Sequence, residues 1–142
     1  METPDQLDVH YRHCGKLDRN YAISATFGGF PSTTDEIERK LAESMQKRRT
    51  SQPKESSAGC IFKNPEACPA GKLIDELGLK GTRVGGVKVS EVHGNFIVND
   101  EHGTANDVLN LIDHIKRIAL EKRGLTLHTE VQIIGEEKGL HD

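Results

Sequence analysis

Apolar residues recur every three or four positions in two stretches of this chain, with polar residues between them. The first stretch places Ile37, Leu41 and Met45 on one side of a helix. The second lines one side with five residues: Val108, Leu111, Ile112, Ile115 and Ala119. This spacing is typical of amphipathic helices. Together with the segment AGKLIDELG, it predicts three helices, at residues 34 to about 49, 70 to about 77 and 104 to about 123.

Residues at the predicted helix ends support this interpretation. Thr33 followed by Glu36 has the spacing of a capping box, and Thr104 can accept a hydrogen bond from the first turn of the third helix. Gly78 and Gly124 follow the second and third helices, at the position where a left-handed residue commonly ends a helix.

Other segments alternate between apolar and polar residues or are continuously apolar, as strands do. We predict strands at residues 21–27 and 125–134, a short strand within SSAGCIFKNP, and two strands around residues 84–89 and 95–98. The polar stretch at residues 50–57 has no periodicity and predicts a boundary between domains 1–50 and 51–142. The fold class is therefore α+β, with a small mixed sheet packed with helices.

Composition and charge narrow the range of functions. A net charge of −3 and only six aromatic residues, two tyrosines and four phenylalanines, argue against nucleic-acid binding, which needs a basic surface. No run approaches the roughly 18 apolar residues of a membrane span, and the N-terminus has no apolar signal core. The three cysteines, Cys14, Cys60 and Cys68, lack the spacing of a disulfide framework or a zinc site. We expect a cytoplasmic protein with reduced thiols and no metal.

Two short segments suggest chemistry. In SSAGCIFKNP, residues 56–65, a cysteine beside a glycine and near polar residues indicates either a reactive thiol on a tight loop or a small buried side chain. In RVGGVKV, the pair Gly85 and Gly86 lacks the third glycine and the following helix of a dinucleotide fingerprint, so we reject that interpretation.

Three segments in order carry a resemblance to a known family: SAGCIFKNP, AGKLIDELGLKGTRVGGVKVSEVHGNFIVN and LTLHTEVQIIGE. They resemble the C-terminal substrate domain of the UDP-N-acetylenolpyruvoylglucosamine reductases, the MurB family of UDP-N-acetylmuramate dehydrogenases. The similarity is dense over residues 57–136 and thinner upstream, at YRHC and YAISATF. The resemblance implies a UDP-sugar-binding domain at residues 51–142, preceded at residues 1–50 by a remnant strand and helix of the FAD-binding domain.

The resemblance also implies an activity, the flavin-dependent reduction of UDP-N-acetylglucosamine enolpyruvate to UDP-N-acetylmuramate in peptidoglycan precursor synthesis. FAD is the implied cofactor and NADPH the implied reductant. Negative charge develops on the carbon next to the substrate carboxylate. The reaction therefore needs groups that stabilise an enolate and an acid that protonates this carbon.

Three catalytic residues follow from the resemblance. Cys60 occupies the position of the family's serine acid; a thiol, with an ordinary pKa of about 8.5, is a stronger acid than an alcohol and stays mostly protonated near neutral pH. Glu130 matches the glutamate that helps to polarise the enol, and Arg12 matches the arginine that pairs with the substrate carboxylate. Without the resemblance, the three would be interpreted as a packed thiol, a solvent-facing glutamate and a surface arginine.

Four further residues are candidates for substrate binding. Asn64 matches an asparagine that contacts the nucleotide-sugar phosphates, although it is equally a turn residue before a proline. His93 matches a polar position facing the substrate, although a single histidine is more often structural. Arg83 and Lys72 have the charge to contact phosphate, and solvation at the surface is the alternative for both.

The family's glycine-rich flavin turns precede the arginine segment, and this chain begins close to that segment. We therefore expect most of the FAD site to be absent, and the chain to be a fragment, a truncated product or half of a split enzyme that needs a flavin-domain partner. The alternative is an inactive module that binds a nucleotide sugar without redox chemistry.

Overall fold

The computed structural model describes Thr3 and residues 6–134 of the chain. The chain forms two compact units, Met1–Met45 and Gln46–Asp142. The first unit contains a two-stranded antiparallel ladder of β1, Val9–His10, and β2, His13–Cys14, followed by a 3-10 turn at Gly15–Asp18. It also contains most of α1, the helix Thr34–Ser51.

Residues 20–33 of the first unit are exposed, and none of them is in a helix or a strand. The predicted strand at residues 21–27 is therefore wrong. Tyr21, Ile23 and Phe27 alternate as a strand does, but they are 96%, 97% and 89% exposed. Alternation fits one face of a sheet, but a strand also needs a neighbour for its backbone hydrogen bonds. No strand of the described chain pairs with this segment.

The helix α1 confirms the prediction and ends two residues later than expected. At its start, the hydroxyl of Thr33 accepts a hydrogen bond from the Glu36 amide at 3.3 Å, while the Glu36 carboxylate accepts one from the Ser32 hydroxyl at 2.8 Å. None of its residues is buried. Its apolar side, formed by Ile37, Leu41 and Met45, is about half exposed.

The second unit contains a four-stranded sheet in which every neighbouring pair is antiparallel, with strand order β3, β6, β5, β4. The strands are β3, Ser56–Cys60; β4, Arg83–Val84; β5, Val87–Val89; and β6, Phe96–Asn99. The α+β fold class is confirmed, but the sheet is antiparallel and not mixed as predicted. The strand predicted around residues 84–89 is instead a hairpin, because Gly85 adopts a φ of 52° and turns the chain between β4 and β5.

Two helices accompany this sheet, α2 at Ala70–Glu76 and α3 at Ala105–Arg123. Both confirm their predictions. Thr104 and Asp107 form a reciprocal capping box at the start of α3, and Gly124 ends it with a φ of 63°. Gly78, with a φ of 70°, follows α2 in the same way.

The core of the second unit lies between the sheet and the helices. It includes Val87 and Val89 from β5, Ile74 from α2, and Leu111 and Ile115 from α3. Residues 125–134 cross this unit without forming a strand, apart from one antiparallel bridge between Phe62 and Thr129. The predicted strand there is wrong, because the segment contacts residues 61–63 over too short a length to form a ladder. Within the described residues, no helix is long and apolar enough to cross a membrane.

Candidate active site

A bulge in β3 determines where Cys60 lies. Ser57 pairs with Val98 of β6, but Cys60 pairs with Phe96, so β3 contains one residue more than its partner over this interval. Gly59 has a φ of 82°, the left-handed conformation that such bulges place on a glycine. Gly59 thus shifts the register of β3 by one residue immediately before Cys60.

The register shift assigns Cys60 and Ile61 to opposite faces of the sheet. Paired residues in antiparallel strands share a face, so Cys60 lies on the face of Phe96. Ile61 lies on the other face, where it lines a groove of about 320 Å³ together with Val87, Ile97 and Val108. Without the bulge, the alternation of side chains from Ser57 onward would place Cys60 on the groove face and Ile61 on the face of Phe96. Cys60 is partly exposed.

The backbone brings Glu130 next to Ile61, the residue that follows Cys60. The Glu130 amide donates a hydrogen bond of 2.8 Å to the carbonyl of Ile61, and the Lys63 amide donates one of 2.8 Å to the carbonyl of His128. Residues 128–130 therefore run beside residues 61–63, and Glu130 is partly buried there. Two of the three predicted catalytic residues lie at adjacent backbone positions, although 70 residues separate them in the sequence.

His93 and Asn64 lie near this backbone and make contacts within the protein. The ring of His93 contacts that of Phe96 edge to face, with centroids 4.9 Å apart, and its Nδ1 accepts a hydrogen bond of 3.1 Å from the Asn95 amide. The side-chain oxygen of Asn64 accepts a hydrogen bond of 3.0 Å from the Ala70 amide, at the first turn of α2. Substrate binding by either residue stays a prediction.

Arg83 and Lys72 lie outside this group of residues. Lys72 is exposed on α2 and forms an ion pair of 3.7 Å with Glu76. Arg83 is on β4, the far edge of the sheet from β3, and both ends of its guanidinium contact Asp100 at 2.9 Å. Asp100 follows the end of β6 that is opposite to Phe96, roughly 13 Å further along the strand direction. Arg83 therefore belongs to a charge cluster at the other end of the sheet.

This cluster of Arg83, Lys88 and Asp100 predicts a pH-dependent stability. The hydrogen bonds from Arg83 and then Lys88, which contacts Asp100 at 2.9 Å, hold the pKa of Asp100 well below its usual range. A depressed carboxyl pKa stabilises the fold above the unfolded pKa of about 4, and this contribution is lost as the pH falls below it. We expect Asp100→Asn to lower the urea midpoint between pH 5 and 8, with the difference from wild type shrinking below pH 4.

The matched control for this experiment is Asp113→Asn, which removes one aspartate charge from the exposed side of α3. Its urea midpoint should stay close to that of wild type at each pH. A constant difference between wild type and Asp100→Asn from pH 7 down to pH 2 would contradict the ionic origin of the effect.

Arg12, the third predicted catalytic residue, belongs to the first unit. It lies in the turn between β1 and β2 with a φ of 57°, and its guanidinium carbon is 5.7 Å from the centroid of the Tyr11 ring. Its predicted role toward the substrate carboxylate stays a prediction.

Asn95 was not predicted as a functional residue; it is buried, with 3% of its surface exposed. Its side-chain amide forms two hydrogen bonds with the backbone of Phe62, at 2.9 and 2.8 Å. A polar residue at the start of an otherwise apolar run, NFIVN, was the available signal. Over the part of the chain that is described, no group of three or more His, Cys, Asp or Glu side chains is arranged to hold a metal ion.

Comparison with known proteins supports the resemblance found in the sequence. A family model described as the C-terminal domain of UDP-N-acetylenolpyruvoylglucosamine reductase matches residues 52–134. The reductase of that name from Limosilactobacillus reuteri is 43% identical over 137 residues, which cover 95% of this chain and 46% of that protein. The one from Lachnoclostridium phytofermentans is 46% identical over 135 residues, covering 94% of this chain and 44% of that protein.

A solved structure gives the same result. The crystal structure of UDP-N-acetylenolpyruvylglucosamine reductase (MurB) from Thermus caldophilus matches with a TM-score of 0.69 and 35% sequence identity, covering 92% of this chain and 47% of that chain. The chain thus spans about half the length of the relatives that it matches.

Proposed function

Because this chain belongs to the UDP-N-acetylenolpyruvoylglucosamine reductase family, we propose that it supplies the substrate pocket and the proton donor for the reduction of UDP-N-acetylglucosamine enolpyruvate. The product is UDP-N-acetylmuramate, a precursor of peptidoglycan, and the reaction takes place in the cytoplasm. FAD is the cofactor and NADPH the reductant.

One observation carries this proposal: the backbone adjacency of Cys60 and Glu130. The hydrogen bond from the Glu130 amide to the Ile61 carbonyl joins two segments that have no proximity in sequence. The bulge at Gly59 turns Cys60 away from the groove beside α3 and leaves it partly exposed. An acid must reach both solvent and substrate, and this position allows it to do so.

The chain's own residues have distinct roles in the proposed reaction. The enol ether double bond accepts a hydride at its terminal carbon, and its electron pair moves toward the carbon that bears the carboxylate. Arg12 pairs with this carboxylate, and Glu130, in its protonated form, donates a hydrogen bond to the developing enolate. Cys60 then transfers its proton to the carbon next to the carboxylate, and the resulting thiolate takes a proton from solvent.

Residues around the Cys60 strand complete the proposed pocket. His93 contacts Phe96, the partner of Cys60, and Asn64 follows Cys60 by four residues, so these two are the stronger candidates for contacts with the nucleotide sugar. Lys72 is exposed on α2, where its ammonium group could contact a phosphate. Arg83 would have to leave Asp100 to bind a phosphate, so we rank it last of the four.

The described residues of the second unit do not fit a flavin pyrophosphate at its glycine pair. A Cβ atom at Gly86 would collide with the backbone of Gly103 and Glu101. Close backbone packing therefore explains this glycine, and the carboxylate of Asp107 lies against Gly85, where it would repel a phosphate. Flavin binding is assigned to the portion of the relatives that this chain does not span. When bound there, the flavin supplies the hydride.

The exposed apolar residues of the first unit are consistent with such a flavin-domain partner. Tyr21, Ile23, Phe27 and Phe30 are each at least 89% exposed, and the apolar side of α1 is half exposed. Large exposed apolar surfaces commonly mark a protein interface. A flavin-binding polypeptide that covers this surface would complete the reductase.

Complementation tests the proposal. The full chain is mixed with FAD and a polypeptide corresponding to the part of the Limosilactobacillus reuteri reductase outside the match. We expect NADPH oxidation that depends on UDP-N-acetylglucosamine enolpyruvate, with formation of UDP-N-acetylmuramate. Binding of the enolpyruvyl substrate to the chain alone is measured in parallel by calorimetry.

The same experiment distinguishes the alternative. Because the chain spans about half of its relatives, a module that binds the nucleotide sugar without redox chemistry is the second candidate. Substrate binding without NADPH oxidation in the completed mixture would favour that module. Absence of both would contradict the two functions together.

A further inference from the structure

Asn95 contacts the two residues that follow Cys60 with both its side chain and its backbone. Its side-chain oxygen accepts a hydrogen bond from the Phe62 amide at 2.9 Å, and its side-chain nitrogen donates one to the Phe62 carbonyl at 2.8 Å. Its own carbonyl accepts a hydrogen bond from the Ile61 amide at 2.9 Å. Three hydrogen bonds from one buried residue therefore hold Ile61 and Phe62.

The same two residues are held on their other side by the segment that carries Glu130. The Glu130 amide bonds to the Ile61 carbonyl, and Phe62 forms a bridge with Thr129. Residues 61 and 62 thus lie between Asn95 and residues 128–130, as the middle strand of a sheet would. The side chain of Asn95 takes the place of a backbone partner, because β6 begins only at Phe96.

This arrangement matters because the chain before Cys60 is held less firmly. The bulge interrupts the pairing of β3 with β6 between Ser57 and Cys60. Gly59 has more conformational freedom than any other residue type would have. The position of Cys60 is therefore fixed by its own pairing with Phe96 and, on its C-terminal side, through Ile61 and Phe62.

We infer that Asn95 is a positioning residue that holds the thiol of Cys60 at a fixed separation from the carboxyl group of Glu130. The catalytic part of this inference rests on the proposed function. The structural part, the electrostatic coupling between the side chains of Cys60 and Glu130, can be measured without turnover. Loss of the Asn95 amide leaves the buried N–H and C=O of Phe62 without this partner, and the strand relaxes to pair them elsewhere.

The chain offers a matched control in Asn99, four residues further along the same segment. Its side chain also makes a pair of hydrogen bonds to one backbone residue, accepting from the Gly103 amide at 2.7 Å and donating to the Gly103 carbonyl at 3.0 Å. Asn99→Ala removes the same chemical groups and the same number of bonds as Asn95→Ala. It does so at the end of β6 away from Phe96.

The test measures the apparent pKa of Cys60 from the pH dependence of its alkylation by iodoacetamide, in the full chain with Cys14 and Cys68 replaced by serine. A carboxylate near a thiol raises the thiol pKa. With Asn95 present, Glu130→Gln should lower the apparent pKa of Cys60 by about 0.5 to 1 unit. In the Asn95→Ala background, Glu130→Gln should produce less than about half of this shift in the Cys60 pKa. In the Asn99→Ala background, Glu130→Gln should produce the full shift.

The other ionisable groups near Cys60 are common to all variants. His93 lies beside Phe96, and Lys63 and His128 flank the segment on each side. Their effect on the thiol cancels when the Glu130→Gln shift is compared between backgrounds. If Asn95→Ala fails to fold by circular dichroism, Asn95→Leu serves instead, because it fills a similar volume, adds no ionisable group and loses both side-chain hydrogen bonds to Phe62.

In the complemented reductase, Asn95→Ala should lower kcat about 100-fold while changing the KM for the enolpyruvyl substrate less than about threefold. Asn99→Ala should change neither by more than about twofold. An undiminished Glu130→Gln shift in Asn95→Ala, or equal losses in the Asn95 and Asn99 variants, would overturn the inference. If the complemented mixture shows no turnover even with wild-type chain, the proposed function fails and the alkylation result still decides the role of Asn95.

Discussion

Replacing Cys60 with alanine is expected to reduce formation of UDP-N-acetylmuramate by the complemented reductase about 10²- to 10⁴-fold, the usual contribution of a general acid. The alanine side chain has no proton to transfer, so the enolate formed after hydride addition returns to substrate. Reduction of the bound flavin by NADPH precedes this step and should keep its rate. Product formation followed by chromatography, and flavin reduction followed by absorbance at 450 nm, separate the two steps.

Two further variants make this result specific. Cys60→Ser restores a hydroxyl proton donor at the same atom position and should recover turnover to within about tenfold of wild type. Cys68→Ala removes a different thiol, one that packs against the core, and should keep its turnover within about twofold. Turnover by Cys60→Ala at the wild-type rate would show that another group protonates the enolate.

Replacing Leu111 with alanine is expected to have the largest effect on stability. Leu111 lies in the middle of α3, is fully buried and belongs to the core shared with β5 and α2. Removing three buried carbon atoms and leaving a cavity should lower the free energy of unfolding by about 2 to 5 kcal/mol. Urea denaturation followed by circular dichroism at 222 nm measures this change.

Leu120 on the same helix provides the control, because 55% of its surface is exposed. Leu120→Ala makes the same chemical change with the same effect on helix propensity, and should shift the free energy of unfolding by less than about 0.5 kcal/mol. Similar losses in both variants would indicate that helix α3 packs on a different side from the one described.

Helix α3 was predictable from the sequence because its signals are local. Thr104, Asp107 and Gly124 mark its ends, and its apolar spacing identifies the side that faces the core. The same holds for α2 and its terminal Gly78. These features depend on residues within one or two turns of each other, so they need no knowledge of the rest of the fold.

The predictions that failed concern partners that are distant in sequence. Residues 21–27 and 125–134 both alternate as strands do, yet neither forms one. Alternation describes one face of a strand, but the strand exists only when another segment accepts its backbone hydrogen bonds. The hairpin at Gly85 was missed for another reason. The pair Gly85 and Gly86 between apolar residues is a signal for a two-residue turn, but it was considered only as part of a dinucleotide fingerprint.

The candidate site also combines features that local sequence predicts with features that depend on distant partners. The residue types at positions 60 and 130 were recognised from motifs, but their adjacency depends on the Ile61 to Glu130 hydrogen bond, which no spacing rule gives. The roles of Gly59 and Asn95 depend on partners far away in the sequence. Gly59 shifts the register between β3 and β6, and the Asn95 amide binds Phe62, so local spacing does not identify either partner.

The position of β3 in the sheet affects how often Cys60 is held in place for the proposed reaction. Within the described chain, β3 is an edge strand and pairs with β6 alone. Edge strands fray more readily than central ones, and their amides exchange with solvent at lower opening free energies. A thiol attached to such an edge is poised for reaction only during the fraction of time in which the edge stays closed. The turnover rate of an enzyme that uses Cys60 would then depend on local opening of β3 as well as on the acidity of the thiol.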